Sequence, residues 1–219
     1  FNAIMSSWRG VRFGFNGELF DAYKTVLLWP LFGLVTLGLG MPYAWYKQNQ
    51  YLYNHYAYGQ TTATTSAAAK DFYRVLFAVF GVSVGGGLLL SGIALMLSES
   101  VVALIIAGAG YLALYVLIYA AFQSTYFAAV FNNVHIKGNR LQTDVTITGL
   151  FAIVLPNTIF TIMTLGLYYP WAAVRVARYM QEHLWVEAVD LDGFVAAQRD
   201  QENALGDEIG EAFDLGIGI

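Results

Sequence analysis

The chain has 219 residues and a formal net charge of −4, and 58% of its residues are hydrophobic while only 12% are charged. Such proportions are typical of integral membrane proteins, and the negative charge with dispersed basic residues argues against nucleic-acid binding. There is no cysteine, which excludes disulfides, thiolate catalysis and cysteine-ligated metal clusters from this sequence.

The first predicted element is a short strand. GVRFGFNG (10–17) alternates residue by residue, which places its valine and phenylalanines on one face. A hydrophobic segment, about 20–41, follows, and Pro30 interrupts it. Because proline lacks the amide donor and the glycines after it loosen the next turn, we predict a kinked or re-entrant helix here.

A tyrosine-rich helix is predicted next, in YAWYKQNQYLYNHYAY (43–58). Tyrosine and tryptophan favour the headgroup depth of a bilayer, so the helix is expected to lie at the membrane surface with Lys47 in water. The following stretch YGQTTATTS (58–66) is typical of a second strand.

The centre of the chain predicts a transmembrane hairpin. Residues 72–98 and 101–131 are long apolar stretches, each exceeding the roughly 20 residues that cross a bilayer as a helix. One of these helices is narrow enough for close approach at its small residues, which include Gly81, Gly85, Gly86 and Gly92. Packing between the two helices is the simpler interpretation of these glycines, and a homo-oligomer interface is the alternative.

The second half of the chain repeats the first. TLGLGMP (36–42) recurs as TLGLYYP (164–170), an offset of 128 residues. A basic residue, a tyrosine and a histidine keep the same offset: Lys47, Tyr51 and His55 in the first copy, Arg175, Tyr179 and His183 in the second. NNVHIKGN (132–139) is interpreted as the counterpart of the first strand, and Pro156 as the counterpart of Pro30 with a small slip. Each half is predicted to contain a strand, a broken hydrophobic segment, an amphipathic helix and a strand, with the strands of both halves paired in one small sheet at the membrane surface.

Two membrane topologies remain open for the proline-interrupted segments, about 20–41 and 147–168. If both cross the bilayer, the lysines and arginines fall on its two sides without bias. If both enter and leave on the same face, every lysine and arginine is cytoplasmic and only SES (98–100) is outside. The second arrangement obeys the positive-inside rule, so it is favoured, and it makes both termini cytoplasmic.

The predicted fold class is mainly α: a polytopic α-helical membrane protein with an internal repeat and a small β-sheet. One integrated membrane domain would comprise a first repeat (1–71), a central hairpin (72–131), a second repeat (132–192) and an acidic cytoplasmic tail (193–219). The tail is predicted to be either solvated or docked through an apolar stripe, on the interfacial helices or on a protein partner.

No residue pattern predicts a catalytic, cofactor or metal site. His55 and His183 occupy equivalent positions, but a hydrogen-bonding role is more typical of such histidines than a two-histidine metal site. The candidate passage consists of bend and polar positions inside the hydrophobic segments: Gly38, Gly40, Pro42, Gly166, Pro170, Gln123 and Asn157. The last two are also explained as hydrogen-bonding residues between helices. The candidate contacts for anionic lipid headgroups are basic residues that flank the membrane: Arg12, Lys47, Arg175 and Arg178.

The motifs and their order resemble one family. RFGFNGELFDAYK, TLGLGMPYAWYKQNQYL, VHIKGNRL and TLGLYYPWAAVRVARYMQEHL are similar to the DUF898 family, the YjgN-like bacterial inner-membrane proteins. The resemblance covers essentially the whole chain. It implies a multi-pass protein of the bacterial inner membrane and assigns no catalytic residues.

A channel- or transporter-like protein for a small solute or lipid is the leading functional hypothesis, because internal repeats with interrupted hydrophobic segments are typical of transporters. The alternative is a non-catalytic scaffold or accessory subunit that binds a protein partner through its cytoplasmic sheet and acidic tail. No enzymatic activity, cofactor or nucleic-acid partner is expected. The expected partners are membrane lipids, with a homo-oligomer as a further possibility.

Overall fold

A computed structural model describes residues 6–96, 100–188 and 190–200. Helices dominate these residues and short strands form small sheets, which confirms the predicted mainly α fold class. The chain divides into two compact units. The first contains Phe1–Ala67, Asn133–Leu141 and Val186–Ile219, and the second contains Ala68–Asn132 and Gln142–Trp185.

The strands form two four-stranded sheets, with the orders β1-β2-β3-β4 and β5-β6-β7-β8. The strands of the first sheet are β1 (Ser7–Trp8), β2 (Val11–Phe15), β3 (Tyr56–Tyr58) and β4 (Thr61–Thr62). Those of the second are β5 (Thr64–Thr65), β6 (Val134–Ile136), β7 (Asn139–Thr143) and β8 (Leu184–Glu187). The prediction of a single sheet is therefore wrong, but strands of the two halves do pair, because β5 of the first half pairs with β6 of the second. The threonines on either side of Ala63 pair with different strands, β4 with β3 and β5 with β6, so the chain passes from one sheet to the other there.

Between β2 and β3, the first unit contains a helical hairpin. Its segments are α1 (Leu19–Tyr23), a π-helical segment (Lys24–Leu28), α2 (Trp29–Val35) and α3 (Met41–His55). The π-helical segment widens the helix, and the carbonyl O of Thr25 accepts a hydrogen bond from Gln48 Nε2 (3.5 Å). Pro30 lies in the first turn of α2, where proline is tolerated. The predicted irregularity is thus present, and the π-helical segment carries it.

Residues 191–200 form a helix, α8, which packs on the first sheet. Val195 is 4% exposed and shares a core cluster with Val11 and Tyr58. This part of the tail is therefore docked, as one of the two predicted alternatives requires, although on strands of the chain itself and not on the interfacial helices. The rest of the predicted tail, 201–219, lies outside the described residues.

The second unit is built from long helices: α4 (Ala69–Met96), α5 (Val101–Phe131), α6 (Ile147–Met163) and α7 (Tyr169–Glu182). α4 packs on α5, α5 on α6, and α6 on α7. Among the described residues, α4 and α5 are long and apolar enough to cross a membrane, whereas α6 is apolar but shorter. The most apolar stretch of α4 is 0% buried and that of α5 is 6% buried. These stretches therefore contribute little to a core, whereas other parts of the two helices do contribute: Phe72 and Val75 of α4 and Ala120 and Ala121 of α5 are buried.

The strands of the two halves correspond at the offset of 128 residues, but not as predicted. β1 pairs with β2 so that Ser7 faces Arg12, and β6 pairs with β7 so that His135 faces Arg140. Both hairpin turns have positive φ angles: Arg9 50°, Gly10 85°, Lys137 45° and Gly138 85°. NNVHIKGN therefore corresponds to the first strand of the earlier hairpin, not to GVRFGFNG. Alternation marks both strands of a hairpin, so it cannot tell one from the other; the turn does.

The hydrophobic segments also correspond at this offset, and they do so without a slip. α1 begins at Leu19 and α6 at Ile147, 128 residues later. Pro156 lies inside α6, at the position of Leu28 in the first half, so it is not the counterpart of Pro30. The two halves interrupt the same helix by different means, one with a π-helical segment and one with proline.

Of the glycines predicted to pack α4 on α5, Gly86 lies at the contact and Gly81, Gly85 and Gly92 do not. A Cβ at Gly86 would lie 2.3 Å from Leu114 Cδ1, so a larger residue there would require the Leu114 side chain to move. A Cβ at Gly81, Gly85 or Gly92 would meet open space. These three residues lie away from the α5 contact, because only positions on one helical face point to a neighbour. Their role in a homo-oligomer stays a prediction.

Candidate ligand groove and duplicated turns

The two TLGL motifs form the same turn. In each, the threonine hydroxyl donates to the carbonyl four residues before it and accepts from the amide four residues after it: Thr36 with Phe32 O (2.9 Å) and Gly40 N (2.8 Å), Thr164 with Phe160 O (2.8 Å) and Tyr168 N (3.0 Å). The next two residues are left-handed: Leu37 (φ 54°), Gly38 (91°), Leu165 (52°) and Gly166 (93°). Glycine adopts this conformation without a Cβ penalty, so the turn explains the glycine of each motif.

The turns are the tips of helical hairpins, and they expose leucines. Leu37 and Leu165 are each 95% exposed, and Leu39 and Leu167 are 65% and 78% exposed. A Cβ at Gly38 or Gly166 would meet open space. The described residues thus place no wall opposite these glycines, which act as turn residues. A narrow point of a passage at the motifs stays a prediction.

Each hairpin is closed at its base by a tyrosine and a backbone hydrogen bond at equivalent positions. Tyr51 OH donates to Glu18 O (2.8 Å), and Tyr179 OH accepts from Thr146 N (3.4 Å). The amide of Asn16 donates to His55 O (3.0 Å) and that of Asp144 to His183 O (3.3 Å). The end of α3 therefore lies beside the start of α1, and the end of α7 beside the start of α6.

The hydroxyl of Tyr51 is held in its protonated form. Desolvation by burial raises the pKa of Tyr51, and the carboxylates of Asp21 and Glu18 add to the rise. A protonated hydroxyl is the form that donates to a carbonyl oxygen, and a tyrosine is in that form at neutral pH with or without the shift.

The two histidines belong to the same closures. Nδ1 of His55 lies 2.6 Å from Tyr51 O, and Nδ1 of His183 lies 2.8 Å from Tyr179 O. Each histidine therefore hydrogen-bonds within its own helix. Within residues 6–96, 100–188 and 190–200, no group of three His, Cys, Asp or Glu residues is placed to hold a metal ion.

An open groove of about 590 Å³ lies between α5, α6 and α7 in the second unit. Its walls are mostly apolar, and small residues of α7 leave its floor open: Ala172, Ala173 and Ala177. Tyr115 and Tyr119 of α5 form one side. The volume lies within the range of roughly 300–1,000 Å³ that is typical of small-molecule sites.

A buried amide lines this groove. Asn157 is 2% exposed, and its Oδ1 accepts from Nη1 of Arg175 (3.1 Å). The same Nη1 lies 3.3 Å from the hydroxyl of Tyr168. Because arginine only donates, the amide oxygen must face it, which leaves Asn157 Nδ2 on the other side. That nitrogen is buried and has no hydrogen-bond partner among the described residues. A buried donor without a partner lowers the stability of the fold by roughly 1–3 kcal/mol, so such groups are rare unless they have a function.

The first hairpin carries different side chains at the positions that line the groove, although its backbone is equivalent. At the offset of 128, Trp29 takes the place of Asn157 and Lys47 that of Arg175. The ring of Trp29 packs edge-on against Tyr43 with the ring centroids 5.0 Å apart. The hairpin fold therefore does not require the asparagine and arginine of the second copy.

The other predicted passage residues make different kinds of contact. Gln123 Nε2 donates to Tyr119 OH (3.1 Å), and Tyr119 lines the groove, whereas Gln123 itself does not. Pro42 is buried and Pro170 is exposed, although both begin equivalent helices. A Cβ at Gly40 would lie 2.7 Å from Thr36 Oγ1, so this glycine serves the turn.

The predicted headgroup contacts differ in their surroundings. Arg12, Arg175 and Arg178 are exposed, and Arg175 also donates to Asn157, which lines the groove. Lys47 lies over the rings of Tyr43 and Tyr46 and donates to Gln50 Oε1 (3.3 Å). A role of these residues at lipid headgroups stays a prediction.

Sequence reasoning missed the small residues that open the groove. The signal was present in the repeat: WAAVRVA in the second copy stands where YAWYKQN stands in the first. Ala173 thus replaces Trp45, and Ala177 replaces Asn49, which removes side-chain volume from one face of α7. A comparison of the two copies by side-chain size, and not only by shared letters, would have indicated a cavity.

A family model described as a bacterial protein of unknown function (DUF898) matches residues 1–212 of the chain. No curated protein and no solved structure shows significant similarity to it.

Proposed function

Because the chain belongs to the DUF898 family of bacterial proteins, we propose that it is a multi-pass inner-membrane protein with a channel- or transporter-like role and no enzymatic one. α4 and α5 would cross the bilayer, since each has the required length and leaves its apolar stretch unburied. The cargo that suits the groove is a lipid, because its walls are mostly apolar.

The two hairpins would enter and leave the bilayer on the cytoplasmic face. Lys47 and Arg175 each follow the first residue of α3 or α7 by six positions, a rise of roughly 9 Å along a helix. With these cations at headgroup level, the leucine tips reach less than halfway through a hydrocarbon core of about 30 Å. This depth agrees with the positive-inside rule, which leaves every lysine and arginine on the cytoplasmic side.

The groove of the second unit is the observation that carries the proposed cargo. Its apolar walls, its opening to the surface of the helices and its buried amide at Asn157 suit an amphiphile better than an ion. The described residues of the membrane helices offer no buried carboxylate or ion pair at the groove, in contrast to the usual sites of coupled ion transport.

A flux measurement in liposomes tests the proposal. Purified protein is reconstituted with fluorescent phospholipids, and an impermeant quencher is added outside the vesicles. Lipids of the inner leaflet are protected from the quencher until they move to the outer leaflet, so the loss of this protection is compared with that of empty vesicles. We expect lipid movement above the background, reduced at least severalfold by Ala173→Trp, which fills the groove. Leu88→Trp is the matched control, since Leu88 is an exposed residue of α4 that does not line the groove. Lipid movement equal to that of empty vesicles would contradict the proposal, and so would flux of ions or osmolytes in its place.

The scaffold alternative receives less support. α8 already covers a face of the first sheet through Val195, so the chain itself occupies a surface that a partner would need. A crosslinked partner that is lost when residues 201–219 are deleted would favour the alternative, since that deletion leaves α8 in place.

A further inference from the structure

We propose that the groove between α5, α6 and α7 binds an anionic phospholipid, with the phosphate beside Arg175 and Asn157 and an acyl chain along the apolar walls. The inference rests on the proposed function in one respect, that the groove lies in a bilayer. It adds the chemical class of the ligand and the residues that select it.

The first step is the unpartnered donor. Asn157 is 2% exposed, and Nδ2 is buried without an acceptor in the part of the chain that the structure describes. A ligand oxygen within hydrogen-bond distance would satisfy it. The bond from Arg175 to Oδ1 fixes the orientation of the amide, so Nδ2 is preorganised to donate.

The second step is the charge at the same place. The guanidinium of Arg175 lies 3.1 Å from the amide oxygen of Asn157, and it is the only type of side chain that carries a permanent charge and five N–H donors. Nη1 of Arg175 donates to Asn157 Oδ1 and to the hydroxyl of Tyr168. A planar guanidinium can also donate to two oxygens of a phosphate at once. An anionic group with several acceptors fits both the charge and the donor.

The third step is the shape of the rest of the groove. Beyond the polar pair, the walls are built from Val154, Ile162, Val176 and Met180, together with the alanines of α7. The hydrated groups of a polar solute would gain nothing from contact with these apolar walls. An acyl chain would bury its apolar surface against them, which is favourable. The ligand therefore has an anionic head and an apolar tail.

The fourth step is the contrast between the two hairpins. The equivalent positions of the first copy hold Trp29 and Lys47, and Trp45 stands in place of Ala173. One copy thus carries aromatic rings at the positions where the other carries the polar pair and small side chains. Since both copies form the same hairpin, the polar pair and the open space serve something other than the fold.

Lipid binding to the full-length protein in a mild detergent tests the proposal. Delipidated protein is titrated with phosphatidylglycerol or with phosphatidylcholine of the same chains, and bound lipid is counted by native mass spectrometry. We expect the wild type to prefer phosphatidylglycerol. Arg175→Gln should weaken phosphatidylglycerol binding by about tenfold, the value of one hydrogen bond to a charged group, and remove the preference. Ala173→Trp should weaken the binding of both lipids.

Lys70→Gln is the control, because it removes an exposed cation of α4 that does not line the groove, and it should leave both affinities unchanged. Glycerol 3-phosphate, which has the head but no chains, should not compete with the lipid. Equal binding by wild type and Arg175→Gln would overturn the assignment of the head, and unchanged binding in Ala173→Trp would overturn the assignment of the groove. Competition by glycerol 3-phosphate would show that a free anion, and not a lipid, is bound.

The outcomes separate this inference from the proposed function. Selective binding without lipid flux in liposomes would support the lipid site and contradict the transporter-like role. Flux that is unaffected by Arg175→Gln and Ala173→Trp would support a transport role and contradict the assignment of this lipid site. Thermal unfolding of each variant in the same detergent excludes loss of fold as the cause.

Discussion

At the scale of single residues, the most constrained backbone lies in the duplicated turns. Leu37 and Leu165 have positive φ angles although they are not glycine, and each is followed by a glycine with φ near 90°. A left-handed non-glycine residue costs of order 1–2 kcal/mol. The threonine hydroxyl at the start of each turn, which makes two hydrogen bonds to the backbone, offsets part of this cost.

Replacing the turn glycine tests this account. Gly38→Ala or Gly166→Ala should each lower the free energy of unfolding by about 1 kcal/mol, since open space surrounds the site and only the backbone opposes the methyl group. Gly81→Ala is the control, because Gly81 also faces open space but lies within α4; no loss is expected. Denaturant unfolding in detergent measures all three. Equal stability of the turn variants and the control would mean that the turns are not left-handed.

At the scale of elements, the repeated unit is a helical hairpin closed at its base and exposed at its tip. The base is joined by Tyr51 or Tyr179, and the tip presents two leucines. An exposed leucine pair at the end of a hairpin is unfavourable in water and favourable in hydrocarbon. The element thus agrees with the proposed re-entrant topology, in which each tip stops inside the bilayer.

Single cysteines at the tips measure that depth, and the chain has no other cysteine to interfere. We expect Leu39→Cys and Leu167→Cys to resist an impermeant maleimide added outside intact cells, because both tips stop short of the outer face. Ser98→Cys, between α4 and α5 and outside the described residues, should react. Reaction of all three would mean that the hairpins cross the membrane. Gly40 is unsuitable as a label site because its Cβ would meet Thr36 Oγ1 at 2.7 Å.

At the scale of the whole molecule, distant parts of the chain build the first unit together. α8 comes from beyond residue 190, yet it packs on β2 and β3 near the start of the chain. Arg9 forms an ion pair with Asp192, and Gln198 Oε1 accepts from the amide of Gln60 (3.1 Å). The exposed ion pair contributes little, so burial of apolar side chains supplies most of the docking energy.

A truncation of the buried valine tests the docking of α8. Val195→Ala should lower the free energy of unfolding of the first unit by about 1–3 kcal/mol, because a buried side chain is removed from a packed cluster. Val186→Ala is the control, since Val186 is 45% exposed and should change stability by less than about 0.5 kcal/mol. Limited proteolysis near residue 190 gives a second readout. Equal effects of the two substitutions would mean that α8 is not docked.

Sequence alone determined the class and the repeat. Composition set the mainly α fold with long apolar helices, because about 20 consecutive apolar residues have few alternatives to a long helix. Direct comparison of TLGLGMP with TLGLYYP established the offset of 128 that the strands, turns and hairpin closures follow. These properties are local or periodic, so a single sequence contains them.

Tertiary structure decided everything that depends on which surfaces meet. Alternation in 132–139 indicated a strand but not its partner, so the predicted single sheet became two. Small residues in α4 indicated a packing face, but only the position of Leu114 showed that Gly86 and not Gly81 lies on it. Asn157 appeared in the sequence as one polar residue in an apolar helix. Its bond to Arg175 and its unpartnered nitrogen arise because α6 and α7 meet on one side while α5 leaves a groove on the other, and no local pattern encodes that meeting.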